Sequence, residues 1–222
     1  MTPEAIKHLQ KRCAVMRRLI RQIGPFTLVP ERQRSPFESL VRAVAHQQLH
    51  GKAAESILRR FRALFSGKAF PSARQLATVS DEALRACGFS RAKIASLRDI
   101  AEKTESGVVP VARAIARMKD EEIITRLTEV RGVGQWTVEM MLIFKLGRPD
   151  VLPAGDFGVR NGFRIALGLR EMPGPKEVLA YGERWRPHAT TAAWYLWRAA
   201  DRAKAPKAAA RKLKKKYLDI KN

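Results

Sequence analysis

Cysteine is scarce in this sequence, and the scarcity excludes whole classes of site. The chain has two cysteines in 222 residues, Cys13 and Cys87, and they lie far apart. Iron–sulfur clusters and structural zinc sites built on cysteine need several thiolates close together, so neither can form here. Lone cysteines also indicate a reducing compartment. We expect no catalytic metal and no cofactor.

Long apolar runs are missing as well. Residues 1–22 are charged throughout and lack the apolar core of a signal peptide. No segment approaches the roughly 18 consecutive apolar residues of a membrane span. We therefore expect a soluble, cytoplasmic protein that makes no membrane contact.

Acidic residues are outnumbered two to one by basic ones. The chain has 43 Lys and Arg against 21 Asp and Glu, a net charge of +22. Such an excess raises affinity for phosphate backbones, which favours nucleic acid as the partner. Ribosomal and membrane-surface proteins share this charge, and part of it lies in the C-terminal tail, 206–222. We expect that tail to hold DNA without sequence preference.

Apolar residues recur at helical spacing almost everywhere, which predicts an all-α protein. Ser35, Ser72 and Ser80 mark helix starts, and glycines at the ends of the periodic segments mark helix stops. The predicted helices are 3–22, 36–49, 51–65, 72–77, 80–86, 90–106, 111–117, 120–128, 135–146, 157–166, 175–184, 187–202 and 206–218. The predicted domains are a helical lobe at 36–127, a second helical lobe made of 1–35 plus 128–205, and the basic tail at 206–222.

The segment 130–134 predicts a hairpin between two helices. Gly132 and Gly134 lack the Cβ atoms that would keep a phosphate away, and the N–H groups at the start of the next helix can bind an anion. A Gly-x-Gly triplet by itself is better explained by a plain tight turn. Arg126 and Arg131, expected to flank the exposed side, favour contact with a DNA backbone. A monovalent cation held by hairpin carbonyls is an additional possibility.

Asp156 follows a loop rich in Pro and Gly and precedes a predicted helix. An ordinary helix cap is one explanation, since Asp is favoured there and contributes about 1 kcal/mol. The same placement suits catalysis, because the helix dipole keeps the carboxylate ionised and rigid. A carboxylate held against a sugar can stabilise oxocarbenium-like charge and orient a water.

The hairpin, the Pro/Gly loop and an aspartate about twenty residues after the hairpin resemble the helix-hairpin-helix superfamily of base-excision DNA glycosylases. The segments 132–137 and 181–187 are similar to 3-methyladenine DNA glycosylase II. The resemblance covers about residues 30–200 and implies a two-lobed helical fold of the compact all-helical subgroup, with the active site between the lobes. Many relatives have Leu-Pro-Gly where this chain has Val-Arg-Gly at 130–132.

The resemblance implies a reaction and a set of site residues. Bifunctional members carry a lysine where this chain has Trp136. The resemblance therefore implies a hydrolytic glycosylase without lyase activity, and it implies that Asp156 is the catalytic residue. It would flip alkylated purines such as 3-methyladenine and 7-methylguanine out of double-stranded DNA and act as a monomer. Implied backbone contacts are Arg131, Gly132, Val133, Gly134 and Thr137.

Two further groups of residues follow from the resemblance. Leu49 would be the wedge that fills the gap left by the extruded base, with Gln48 and His50 beside it, although Leu49 can instead simply end a core helix. Stacked aromatic rings attract a cationic alkylated base. The residues at those positions are Trp136, Phe157 and Trp197.

Alternatives remain for several of these residues. His46 and His50 fit minor-groove contacts or polar groups at a helix end equally well. Each aromatic side chain can pack in the core, and core packing is our prediction for Trp185 and Trp194. For the whole chain, the alternatives are a DNA-damage-binding protein without activity and a glycosylase for another lesion.

Overall fold

A computed structural model describes residues 3–49, 51–67 and 69–204 of the chain. Thirteen α-helices occur in these ranges, together with a short π-helical and a short 3₁₀ segment, and these ranges contain no strand. The predicted all-α class is confirmed. The predicted helix at 206–218 lies outside the described residues.

The chain forms two compact units. The acid unit, named for Asp156, joins Met1–Leu28 to Arg148–Asn222, and the hairpin unit is Val29–Gly147. This division differs from the expected one at 29–35 and 128–147, which both belong to the hairpin unit. The helix that follows the hairpin packs on two other helices of that unit. In the 29–35 segment, the Glu31 N–H donates to the Phe144 carbonyl over 2.7 Å.

The hairpin unit contains eight of the described helices. They are α3 Pro36–His46, α4 Gly51–Ala63, α5 Ala73–Thr78, α6 Asp81–Ala86, α7 Arg91–Glu105, α8 Ala112–Ile115, α9 Asp120–Leu127 and α10 Gln135–Met141, with the π-helical segment Leu142–Leu146. Helix α7 packs on α3, α5 and α6, and its apolar face is buried through Ile94, Leu97 and Ile100. This helix therefore lies at the centre of the unit.

Serine caps start four helices of the hairpin unit. The hydroxyls of Ser35, Ser72, Ser80 and Ser90 each accept the backbone N–H three residues ahead, over 3.0–3.3 Å. Each cap satisfies an amide that has no partner within its helix. The helix starts predicted at Ser35, Ser72 and Ser80 are confirmed.

The acid unit contains the other five described helices. They are α1 Pro3–Arg12, α2 Ala14–Ile23, α11 Phe157–Leu167, α12 Pro175–Gly182 and α13 Ala189–Lys204, with the 3₁₀ segment Glu183–Trp185. Trp185 and Trp194 are 0% and 6% exposed, which confirms their predicted place in the core.

The prediction of one continuous helix over 3–22 was wrong. Cys13 has extended backbone angles, φ −144° and ψ 113°, and divides the segment into α1 and α2. Helix α1 contacts the 3₁₀ segment and α13, whereas α2 contacts α13 and α11. The break therefore lets each half bury its apolar side against a different part of the same unit.

Helices α11 and α13 form the most extensive helix pair of the acid unit. Their closest approach is at Gly162, where a Cβ atom would overlap the backbone carbonyl of Leu196. Glycine is required because the two backbones touch there. Asp156 precedes α11 and Trp197 follows Leu196 on α13, so this contact brings the two side chains together.

Candidate active site

Asp156 is the N-cap of α11, as the sequence predicts. Its backbone is extended, with φ −68° and ψ 128°, and its Oδ1 accepts the backbone N–H of Val159 over 2.8 Å. The preceding turn is closed by the Asp156 N–H, which donates to the Pro153 carbonyl over 3.0 Å. The half-buried carboxylate therefore lies at the positive end of an eleven-residue helix.

Trp197 orients the same carboxylate. Its indole Nε1–H donates to Asp156 Oδ1 over 2.7 Å. Sequence reasoning assigned Trp197 only to a base pocket and missed this bond. The two residues are 41 positions apart and meet only through the packing of α11 on α13. A charge-assisted bond of this length holds the acid in one orientation.

Gly158 is a further residue that sequence reasoning missed. A Cβ at this position would lie 2.8 Å from Trp197 Cδ1 and 3.0 Å from Asp156 Oδ1. Both distances are shorter than ordinary carbon contacts. The signal in the sequence is a glycine two residues after the capping acid, a spacing that places it next to the cap.

Asp150, another acid close to Asp156 in the sequence, has a structural role. Its Oδ2 accepts from Arg186 over 2.8 Å, and its Oδ1 accepts the Ala189 N–H at the start of α13 over 3.1 Å. The hydrogen bond to Asp150 raises the pKa of Arg186 above its usual value. Asp150 thus caps a helix and anchors the 186–189 segment.

The hairpin has the predicted shape. Helix α9 ends at Leu127, α10 begins after Gly134, and Gly132 has φ +75°, a left-handed conformation that favours glycine. Val130 and Val133 are buried beneath the turn. Arg131, Gly132 and Gly134 are exposed. The exposed side of the turn is therefore backbone and one arginine.

Two residues expected at the hairpin surface are placed otherwise. Arg126 donates to the carbonyls of Gly107 and Val108 over 2.7 and 3.0 Å, so its guanidinium binds a neighbouring turn. The Thr137 side chain is 5% exposed, and its N–H donates to the Gly134 carbonyl. The predicted backbone contacts at Arg131, Gly132, Val133, Gly134 and Thr137 stay predictions, as does a cation at the hairpin carbonyls.

The predicted wedge lies on the turn after α3. Leu49 is 40% exposed, and Gln48 is exposed with φ +57°, a conformation that is uncommon for a residue other than glycine. His50 lies outside the described residues. His46 Nε2 lies 3.1 Å from a carboxylate oxygen of Glu55, which fits a polar group at a helix end.

A pocket of about 400 Å³ opens beside this turn and Trp136. Its lining is mainly apolar and consists of Ala43, His46, Gln47, Gln48, Trp136, Thr137 and Met140. The volume is typical of sites for small organic groups. Lys145 lines an adjoining pocket of about 230 Å³, and burial lowers its pKa below the usual lysine value.

The predicted base-pocket residues fall into two groups, one in each unit. Phe157 follows Asp156 in the acid unit and is 62% exposed, and Trp197 is half-buried there. Trp136 belongs to the hairpin unit and is 49% exposed. Core packing is thus excluded for Phe157 and Trp136, since a core side chain would be buried.

No helix in the described ranges is long and apolar enough to cross a membrane. In the same ranges, no cluster of three or more His, Cys, Asp or Glu side chains is arranged to hold a metal ion.

Known proteins match both the sequence and the structure. DNA-3-methyladenine glycosylase 1 of Schizosaccharomyces pombe is 45% identical over 185 residues, which are 82% of this chain and 80% of that protein. The solved structure of an S. pombe 3-methyladenine DNA glycosylase in complex with abasic DNA matches with a TM-score of 0.80 and 43% identity, over 87% of this chain and 95% of that one.

A second solved structure agrees with the first. A DNA-3-methyladenine glycosidase from Bacillus halodurans matches with a TM-score of 0.81 and 38% identity, over 90% of this chain and 89% of that one. The family model described as HhH-GPD superfamily base excision DNA repair protein matches residues 41–187, which include the hairpin and Asp156. This chain belongs to the HhH-GPD superfamily of base excision DNA repair proteins.

Proposed function

We propose that this protein is a monofunctional DNA glycosylase that hydrolyses the bond between an alkylated purine and its deoxyribose. Its substrates are 3-methyladenine and 7-methylguanine in double-stranded DNA. The relatives described above are named for 3-methyladenine, and they match most of the chain. The observation that carries the proposal is the carboxylate of Asp156, held on Oδ1 by Val159 and Trp197.

Asp156 supplies electrostatic stabilisation in this reaction. Breaking the glycosidic bond builds positive charge on the sugar ring, and a fixed carboxylate stabilises that charge without reorganising. The same group orients the attacking water towards C1′. Alkylation makes the purine cationic and a good leaving group, so a second carboxylate acting as a strong general acid is not required.

Recognition of the damaged base relies on exposed aromatic faces. Trp136 and Phe157 present 49% and 62% of their surface, and a cationic purine gains about 0.5–2 kcal/mol from stacking on such rings. A normal base lacks this charge. Trp197 contributes mainly through its bond to Asp156.

The strand is left intact in this proposal. Position 136, which holds the nucleophilic lysine in bifunctional relatives, is a tryptophan. Without that amine no covalent Schiff base forms at the hairpin, and the product is an abasic site in uncut DNA.

The hairpin and the wedge supply the contacts with DNA. The exposed backbone at Gly132 and Gly134 binds a backbone phosphate, and Leu49 fills the space of the flipped base. We expect a monomer that acts in the compartment of the chromosome, the bacterial cytoplasm or the eukaryotic nucleus.

An Asp156→Asn variant tests the proposal. The wild-type protein should release 3-methyladenine or 7-methylguanine from alkylated duplex DNA and leave strands that break only after alkaline treatment. Asp156→Asn should lose release while binding abasic duplex with little change. Asp201→Asn, which changes an exposed acid on α13, is the matched control and should retain full activity.

Each other outcome of this assay has a distinct meaning. Undiminished release by Asp156→Asn would remove Asp156 from the mechanism. Release of a different base would identify another lesion as the substrate, and no release from any damaged DNA would identify a damage-binding protein. Strand breaks without alkali would contradict the monofunctional reaction.

A further inference from the structure

One face of α7 contacts both of the loops that the proposed function places on DNA. Its residues Lys93, Ser96, Asp99 and Lys103 are spaced by three, three and four positions, and this spacing aligns them along one side of a helix. Lys93 reaches the turn that carries the wedge, and the other three reach the hairpin. We call these four residues the α7 stripe.

At the wedge end, Lys93 holds the last turn of α3. Its Nζ donates to the carbonyls of Ala45 and Gln47, over 2.8 Å in both cases. Carbonyls at a helix C-terminus lack partners within the helix, and a cation there also meets the negative end of the helix dipole. The next residue is Gln48, whose φ of +57° persists only if its neighbours hold it.

At the hairpin end, the stripe holds the backbone on both sides of the turn. Asp99 Oδ2 accepts the Arg131 N–H over 2.7 Å, and Lys103 Nζ donates to the Glu129 carbonyl over 2.6 Å. Ser96 lies against Gly132, where a Cβ atom would overlap its Oγ. The turn is therefore seated directly on α7.

A direct bond joins the two loops. Gln47 Nε2 donates to the Gly132 carbonyl over 2.9 Å, across 85 positions of sequence. Gln47 is thus bound twice, through its carbonyl to Lys93 and through its side chain to the hairpin. Together with the α7 stripe, this bond closes a ring that contains the wedge turn and the hairpin.

We propose that Lys93 and Gln47 are positioning residues that couple the hairpin's grip on the DNA backbone to the conformation of the wedge turn. The inference rests on the proposed function, which assigns the hairpin and Leu49 to DNA. A phosphate bound at the hairpin fixes the backbone of Gly132. Through Gln47 and Lys93 it thereby fixes the turn that presents Gln48 and Leu49 to the base stack.

The test measures wedge insertion and DNA affinity separately. The probe is a duplex with a stable abasic-site analogue beside 2-aminopurine, a base whose fluorescence rises when it loses stacking. The variants are Lys93→Met and Gln47→Met, which remove the donors and keep side chains of similar length. Lys119→Met, at an exposed position before α9, removes one positive charge and is the control for the charge lost in Lys93→Met.

We expect the wild type and Lys119→Met to raise the fluorescence equally. Each test variant should lose at least about half of the rise, because the wedge no longer holds its inserted conformation. Affinity for the duplex should change less than about threefold, because phosphate contacts supply most of it. In each test variant, release of base from alkylated duplex should fall in parallel with the fluorescence. When the lesion lies unpaired in single-stranded DNA, release by the variants should return to the wild-type level.

Several results would overturn the inference. They are a full fluorescence rise in both variants, a loss that only follows weaker binding, or an equal loss of activity on duplex and single-stranded substrates. If Lys93→Met fails to fold, Gln47→Met decides alone. A wild type that raises fluorescence but releases no alkylated base contradicts the proposed function, while the variants still test the coupling.

Discussion

Trp197 donates its indole N–H to the oxygen of Asp156 that also caps α11. The two donors to Oδ1 lie at 2.7 and 2.8 Å, one from α13 and one from the backbone of Val159. An aspartate that only capped the helix would need the backbone donor alone. The second donor fixes the rotation of the carboxylate, which a reaction at a single sugar carbon requires.

Trp197→Phe should slow base release without weakening binding to abasic DNA. An aromatic ring is kept, but the indole N–H and its hydrogen bond to a charged group, worth about 1.5–3 kcal/mol, are lost. If half of that stabilisation acts in the transition state, the single-turnover rate falls about tenfold or somewhat less. Trp194→Phe, on the same helix but without a bond to Asp156, controls for the loss of an indole. Equal rates for Trp197→Phe and the wild type would show that the bond serves only folding.

Gly158→Ala should impair catalysis, whereas Gly155→Ala should not. The new Cβ at 158 meets both Trp197 and Asp156 at 3.0 Å or less, so one of them must move. At 155, nothing lies within 4 Å of the new atom. We expect about a tenfold or greater fall in single-turnover rate for Gly158→Ala. Thermal unfolding of both variants checks that the fold is kept, and equal activity of the two would contradict the prediction.

The two hairpin glycines should respond differently to alanine. Gly132 has φ +75° and touches Ser96, so Gly132→Ala should destabilise the protein by about 1–3 kcal/mol. Gly134 is the N-cap of α10, with an ordinary φ of −93° and no neighbour within 4 Å, so Gly134→Ala should cost at most about 1 kcal/mol, the loss of a favoured capping residue.

Gly134→Ala therefore reports mainly on the phosphate. A Cβ on the exposed N-terminus of α10 keeps the backbone of DNA from approaching the amides, so affinity for duplex should fall and depend less steeply on salt. Titrations of duplex at several salt concentrations, together with urea unfolding, measure both effects. Unchanged affinity for DNA in this variant would argue against phosphate binding at the hairpin.

Lys145 gives the stability a predictable pH dependence. Burial lowers its pKa from 10.5, so between the lowered pKa and 10.5 the unfolded chain binds more protons than the folded one. The contribution of Lys145 therefore rises with pH through that window. Lys145→Met should be more stable than the wild type near neutral pH, and this advantage should shrink as the pH approaches 10.5. Urea unfolding across the window measures it, with Lys119→Met as the control; a constant difference would contradict the assignment.

Periodicity and capping residues predict most of the helices, because both are local properties of the chain. They fail at Cys13 for a physical reason. Leu9 and Met16, on either side of the break, are seven residues apart and both fully buried. A straight helix would also place them on one face, so the pattern alone does not reveal the change of direction.

The candidate site is predictable only where its chemistry is local. The cap at Asp156 and the glycine turn at 132 follow from neighbouring residues. The bond from Trp197 spans 41 positions and the bond from Gln47 spans 85, and both depend on tertiary packing. Dependence on tertiary packing also explains why Arg126 does not lie on the exposed side of the hairpin, as the sequence had suggested. Its partners, the carbonyls of Val108 and Gly107, are 18 and 19 positions away in sequence.

The close approach at Gly162 sets the spacing between Asp156 and Trp197 from a position outside the proposed site. The separation of α11 and α13 is set where Gly162 meets the Leu196 carbonyl, six positions along the chain from the acid and one from the tryptophan. Any side chain at 162 would push the two helix axes apart and lengthen the Trp197–Asp156 bond. Substitutions deep in the interior would thus change turnover without touching DNA. During evolution, this helix spacing offers a way to adjust the activity while every residue that faces the substrate stays the same.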